Sequence, residues 1–331
     1  MFWTMERLRV QRGAVLWAVV LCAAATLVDA KEVELTCADR ELAALPFCDA
    51  SLPPEQRVSD LLTRLTPAEK VSQLVMTAAA VPRLGMRQFS MAAEALHGVW
   101  SACVDGRCPT QFPAPVAMAA SFDQELWSEI GAATAREARA LFNSGSPSAR
   151  GLEGQLGLTF YAPTLNVIRD PRWGRVEEAI SEDPVVTGAL GAAFVHGMQA
   201  GAPIHAAHAG GNNNTKYWAV AAVAKCFAEY SLDCVQLDAP HKACADHFPA
   251  PYAGDRHSFN AHIPAQDLVE TYLVPWRRVS GEGGVAGVMC SYAAIDGVPS
   301  CANARLLERA RRRARRRDDA RAGAPHVVTD C

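Results

Sequence analysis

An α/β fold built on a parallel sheet is what this sequence predicts, and three observations carry that expectation. Short apolar runs of strand length alternate with longer stretches of helical periodicity. The strand-like runs are apolar throughout, as strands covered on both faces by crossover helices must be. Hydrophobic residues make up 50% and charged residues 20% of the 331-residue chain, which suits a packed globular protein and not a disordered or collagen-like one. A TIM-like (β/α)8 barrel, at about 250 residues, and an open doubly wound sheet both satisfy the pattern.

The elements follow in order. Residues 31–50 read as an irregular leader, and 51–331 as the main domain. A helix is expected over Gln56 to Leu65. Thr66-Pro67-Ala68-Glu69 reads as a capping box with proline at the first helical position, so a second helix starts there. Asp123 caps a long helix through Phe142, with Leu126, Ile130 and Leu141 on one stripe. Leu158 to Ala162 is a short strand. Asp183-Pro184 opens a helix that ends near Gly197 or Gly201. Ala219 to Phe227, Val285 to Tyr292 and His326 to Thr329 are strand-like. Pro264 to Val279 is helical in pattern. There is no internal repeat. No GxGxxG or GxxxxGK[ST] stands between a strand and a helix, which removes the simple nucleotide-binding readings.

The first thirty residues have Arg7, Arg9 and Arg12, an uncharged apolar stretch from Gly13 to Val28, and small residues up to Ala30. That is the pattern of a secretory signal peptide over 1–30. The competing reading, an uncleaved anchor, needs a longer apolar run. The formal net charge is −3, yet eight arginines and one glutamate fall between Arg305 and Arg317. The remainder is therefore acidic, which disfavours nucleic acid as a partner. The arginine run reads as a solvated basic helix, as a polyanion-binding tail or as an error in the coding sequence. In an oxidising compartment the cysteines should pair, and closeness in sequence suggests Cys37 with Cys48, Cys103 with Cys108, and Cys290 with Cys301. No Cys-x-x-Cys with histidines at zinc spacing occurs, so no metal is expected. Asn213-Asn214-Thr215 is a glycosylation sequon.

Polar residues follow the strand-like runs: Glu94 and His97, then Asp170, Arg172 and Arg175, then Lys225, Arg256 and Asp330. In a parallel barrel such residues converge on one mouth. Carboxylates, arginine, lysine and tryptophan suit a sugar, because charged groups bond its hydroxyls and an aromatic face covers its apolar side. Each has a bland alternative. Glu94 and Lys225 read equally as surface residues, and Arg172 and Arg175 as structural partners of Glu177, Glu178, Glu182 or Asp183.

The ordering of motifs resembles glycoside hydrolase family 3, in its plant-type β-xylosidase and β-glucosidase branch. The likeness runs over residues 45–331, with a divergent patch from 200 to 255. It rests on Leu45-Pro46-Phe47-Cys48-Asp49, on Glu94-Ala95-Leu96-His97-Gly98, and on Asn166-Val167-Ile168-Arg169-Asp170-Pro171-Arg172-Trp173-Gly174-Arg175 with Ser181-Glu182-Asp183-Pro184 behind it. Met289-Cys290-Ser291-Tyr292 and Thr329-Asp330-Cys331 complete it. The resemblance implies a (β/α)8 barrel that is incomplete at the C-terminus. It also implies retaining, exo-acting hydrolysis of β-glycosidic bonds in cell-wall oligosaccharides or aryl glycosides, with no cofactor. Asp330 would be the nucleophile. Glu94, Arg175, Lys225 and Arg256 would hold sugar hydroxyls, with Tyr292 near the nucleophile. Retention needs two carboxyl groups about 5–5.5 Å apart. In the family the second comes from a further domain that does not follow here, so this chain by itself is expected to turn over little substrate.

The sequence also departs from the family. Cys226 replaces the histidine that usually follows the lysine, and a thiol does not donate to a hydroxyl as imidazole does. His247 or His257 would have to substitute. Ala293 stands where asparagine is usual. Arg309 to Arg317 cannot form a buried strand without paired carboxylates. A non-catalytic secreted glycan-binding relative is the alternative reading. Xylose, glucose and arabinose all remain open, as does oligomeric state.

Overall fold

A computed structural model describes residues 37–91, 93–146, 148–149, 156–171, 173–202, 218–230, 256, 259–308 and 326–328. The expected signal peptide, the Asn213 sequon, Arg172, His247, His257, the Arg309–Arg317 run and Asp330 lie outside these residues. The chain separates into two compact units, Met1–Lys70 with Ala80–Arg87, and Val71–Ala79 with Gln88–Cys331.

In the first unit, helix α1 (Pro54–Arg64) starts two residues earlier than expected, because Pro54 fits the first turn where no N–H is needed. The side chains of Phe47, Leu65, Val81 and Leu84 form a small core. The Asp60 carboxylate ties α1 to the turn at Phe47, accepting from the Phe47 N–H at 3.2 Å, while Arg57 donates to the Phe47 carbonyl at 3.0 Å. Cys37 and Cys48 are disulfide-bonded, as their closeness suggests. Helix α2 (Pro67–Ser72) opens with the predicted capping box. The Glu69 carboxylate accepts from the Thr66 N–H at 2.8 Å, and the Thr66 hydroxyl accepts from the Glu69 N–H at 3.2 Å.

The second unit is α/β. Strands β1 (Thr159–Thr164), β2 (Ala221–Phe227), β3 (Gly287–Cys290) and β4 (His326–Val328) lie in that order in one parallel sheet. Registers run Phe160 to Ala222, Ala224 to Val288 and Val288 to Val327. A further parallel bridge sets Glu94 beside Tyr161 on the outer side of β1. All but the first residue of β2 are buried, as both-sided burial of a parallel strand requires. The strand extends past Lys225 to Phe227, so Lys225 is inside the strand and does not end it.

Helices α3 (Gln124–Asn143) and α4 (Pro184–Ala200) pack against each other in the core. Asp123 caps α3, accepting from the Glu125 and Leu126 N–H groups at 2.9 and 3.1 Å. Asp183 does the same for α4, which ends at Ala200 with Gly201 as its left-handed C-cap. The buried face of α3 is Trp127, Ile130, Thr134 and Ala138, whereas Leu126 is 39% exposed. Ile130 and, in part, Leu141 thus face the core as expected, while at the first turn tryptophan, the larger side chain, takes the core in place of Leu126 and meets Phe194 edge to face. The two helix backbones approach so closely that a Cβ at Gly197 would stand 2.0 Å from the Ser128 carbonyl oxygen.

The helical pattern expected over Pro264 to Val279 is present as Ala265–Asp267, a wider π-type turn at Leu268–Tyr272, α5 (Val274–Arg278) and a second π-type turn at Val279–Gly283. Pro275, which has no N–H to continue the ladder, follows the first of these wider turns. Disulfides join Cys103 to Cys108 and Cys290 to Cys301. Among the described residues, no helix is long and apolar enough to cross a membrane.

Candidate active site

The polar residues gather where the parallel strands run out. Glu94 comes from the bridge beside β1, Arg175 and Glu178 from the turn at Val176–Glu178 after β1, Lys225 from β2 and Tyr292 from just beyond β3. Lys225 is 1% exposed, so the surface-lysine reading is wrong. Its ammonium donates to both oxygens of Glu94 at 2.8 Å and lies 3.4 Å from Glu178 Oε2. Arg175 grips Glu178 with a two-pronged pair, Nε to Oε1 at 2.7 Å and Nη2 to Oε2 at 2.6 Å. The order of charges is thus Arg175, Glu178, Lys225, Glu94, with signs alternating.

The two carboxylates are pushed in opposite directions. Burial drives the Glu94 carboxyl above its usual range, against the pull of Lys225, and the negative charge of Glu178 adds to the rise. Burial also works to raise Glu178, but the hydrogen bonds from Arg175 and the charge of Lys225 outweigh it and hold Glu178 below its usual range. Burial alone would lower the Arg175 guanidinium, but Glu178 holds it firmly charged. Burial pushes the Cys226 thiol up to about 11. That side chain packs with Trp173, Ala179 and Tyr230 and stays a neutral core group.

Tyr230 joins the remaining residues. Its hydroxyl accepts from Arg175 Nη1 at 3.0 Å and from Arg256 Nη1 at 3.4 Å. Its ring meets those of Trp173 and Tyr292 edge to face at 5.6 and 5.7 Å between centroids. The Arg256 guanidinium lies 5.0 Å over the Tyr292 ring. Asn166 holds the Tyr230 backbone, with its side-chain oxygen accepting from the Tyr230 N–H at 2.8 Å. Behind this, Arg169 pairs with Glu229 at 2.8 Å and covers Tyr272 at 4.4 Å.

Glu94, Arg175, Lys225, Arg256 and Tyr292 therefore belong to one connected set, while Asp330 lies outside the described residues. The pairing of Arg175 with Glu178, one of the structural partners the sequence offers, is present, but its extension to Lys225 is not read from the sequence, and Tyr230 is missed altogether. An aromatic residue just past a strand is the signal that could have found Tyr230. A cavity of about 300 Å³ opens on Glu94, Glu178 and Lys225, with His97, Trp100 and Gln111 around it. Its size is at the lower end for small-molecule sites. Among the described residues, no cluster of three or more His, Cys, Asp or Glu side chains is placed to hold a metal ion.

Residues 60–314 match the glycosyl hydrolase family 3 N terminal domain. Beta-D-xylosidase 1 of Arabidopsis thaliana is 41% identical over 271 residues, which are 80% of this chain and 30% of that protein. A solved family 3 exo-beta-xylosidase, XlnD, in complex with a xylobiose aziridine probe, superposes with a TM-score of 0.70 at 30% identity, over 89% of this chain and 34% of that one. DesR, a beta-glucosidase from Streptomyces venezuelae in complex with D-glucose, gives 0.55 at 25% identity, over 83% and 28%. The chain spans about a third of the length of the curated relatives it matches.

Proposed function

The chain belongs to glycosyl hydrolase family 3, and on that premise we propose that the protein is a secreted, exo-acting β-glycosidase of β-xylosidase type. The observation that carries this reading is the alternating ladder Arg175, Glu178, Lys225, Glu94 beside a cavity of about 300 Å³ at the strand ends. The parallel sheet would be part of a (β/α)8 barrel, whose mouth is where such residues collect.

In this reading Glu94 accepts from one sugar hydroxyl while Lys225, shared between two carboxylates, donates to another. Arg175 and Glu178 hold Lys225 in position. Arg256 and Tyr292, joined through Tyr230, line the side towards the anomeric carbon. Asp330 attacks that carbon, and a second carboxyl group protonates the leaving oxygen and then activates water. The xylosidase names of the relatives favour β-xylosides over β-glucosides as substrates. Cys226, packed in the core, takes no part in holding hydroxyls.

Calorimetric titration of the full chain with xylose and xylobiose tests the site. Glu94→Gln and Lys225→Met should each weaken binding about tenfold or more, from loss of charge-assisted hydrogen bonds. Absence of binding heat at millimolar sugar would overturn the assignment. Hydrolysis of aryl β-xyloside that survives Asp330→Asn would remove the nucleophile.

A further inference from the structure

We propose that Trp100 is a stacking platform for a second sugar ring, standing at the mouth of the cavity whose charged residues hold the first. This deepens the reading above and rests on it. Trp100 lines the cavity with Glu94, Glu177 and Lys225, yet it is 56% exposed. Single exposed hydrophobic residues are common and by themselves mean little. Trp100 differs because its segment is built to hold it there.

The Trp100 backbone N–H donates to the Glu94 carbonyl at 2.9 Å, so the backbone that bears the ring is tethered to the residue that carries the inner carboxylate. On either side of Val99, which is fully buried, the segment is pinned to a second stretch of chain. The Phe112 N–H donates to the His97 carbonyl at 2.7 Å, His97 Nδ1 lies 3.1 Å from the Phe112 carbonyl, and Gln111 Nε2 donates to the Val99 carbonyl at 3.2 Å. That second stretch is anchored in turn, since the Glu137 carboxylate accepts from the Thr110 N–H at 2.8 Å and from its hydroxyl at 2.6 Å. Gly98 makes the close approach feasible. It has φ of 124°, and a Cβ there would stand 2.1 Å from the Thr110 carbonyl oxygen. The backbone is thus fixed from both sides while the indole is left in the open.

A rigid indole has few torsions to freeze on binding, so contact with it carries a small entropic penalty. Its face suits the C–H side of a pyranose, whereas Glu94 and Lys225 suit hydroxyls. A cavity of about 300 Å³ lined by Glu94 and Lys225 as well as by Trp100 lets one ring sit on the charged residues while the second lies against the indole. The ligand class is therefore a β-linked disaccharide or an aryl glycoside, with the leaving portion on tryptophan.

The test compares xylose and xylobiose by calorimetry on the full chain, in the wild type, Trp100→Ala, Trp100→Gln and Trp100→Phe. The wild type should bind xylobiose more tightly than xylose. In Trp100→Ala and Trp100→Gln the ratio of the two affinities should fall roughly three- to tenfold, the range of one aromatic contact, and Trp100→Phe should restore most of it. An exposed side chain is replaceable without unfolding, which a thermal melt checks, and the glutamine variant serves where alanine does not fold. A ratio that stays within about 1.5-fold of wild type in both variants overturns the platform and leaves the inner site standing. A wild type that binds neither sugar overturns the site assignment, and the platform with it.

Discussion

Lys225→Met asks how much the buried ladder contributes to stability. Methionine keeps the length of the apolar stem and removes the ammonium that sits 2.8 Å from each Glu94 oxygen and 3.4 Å from Glu178. Removing one partner of a buried ion pair costs about 3–5 kcal/mol, because a charge is left without compensation. Here the Glu94 and Glu178 side chains are 22% and 23% exposed, so water from the cavity reaches both. We therefore expect a loss of about 2–3 kcal/mol. Glu94→Gln should lose less, about 1 kcal/mol, since Lys225 keeps Glu178 and no buried charge is stranded. The assay is urea unfolding of the wild type, both single variants and the double variant, with slopes compared to confirm that the unfolded states are alike. The losses should fall short of additive by about 1–2 kcal/mol in the double variant, as for residues in direct contact. Additivity within about 0.3 kcal/mol would mean that the pair is not formed in the folded protein.

Other expectations follow from the same contacts. Glu178, held below its ordinary value of 4.5, contributes stability that is present above that pH and is lost as pH falls through its folded value. Glu178→Gln should flatten the acid limb of a stability–pH curve. Glu94 has the opposite sign: its raised value means stability that is full below pH 4.5 and is lost as pH rises through the folded value, so the deficit of Glu94→Gln against wild type should be largest at acid pH and shrink as pH rises. Cys226, pushed up to about 11 and fully enclosed, should resist iodoacetamide at pH 8 in the native protein and react once denaturant is added, as read by mass spectrometry. Gly98→Ala should destabilise by about 2 kcal/mol or more in chemical denaturation, since φ of 124° and the Thr110 carbonyl both oppose a side chain. Asp123→Ala should cost about 1 kcal/mol through loss of the cap on α3.

Features decided within a few residues are legible in the chain itself. The caps at Thr66, Asp123 and Asp183 need only a side chain and an N–H two or three positions ahead. The three disulfides among the described residues join cysteines 5 or 11 residues apart. Glu94, Arg175, Lys225, Arg256 and Tyr292 stand out because the order of motifs along the chain resembles that of the family. The stripe on α3 is harder to read, because periodicity does not say which of two adjacent apolar residues turns inward. Between Pro264 and Val279 the apolar pattern marks helical backbone, but it does not show that the turns widen on either side of α5.

The sequence by itself determined the alternation of strands and helices, the family likeness and the residue types that collect at the sheet's end. Tertiary structure decided what those residues do to one another. Glu94 and Lys225 are 131 positions apart, and only the parallel order of the strands sets the ammonium between two carboxylates. The same packing turns Arg175 onto Glu178, makes Tyr230 the junction with Arg256 and Tyr292, buries Cys226, and leaves Trp100 exposed over the cavity. The physical reason is that charge placement and desolvation depend on distances across the sheet, which the chain sets only after its crossover helices have packed.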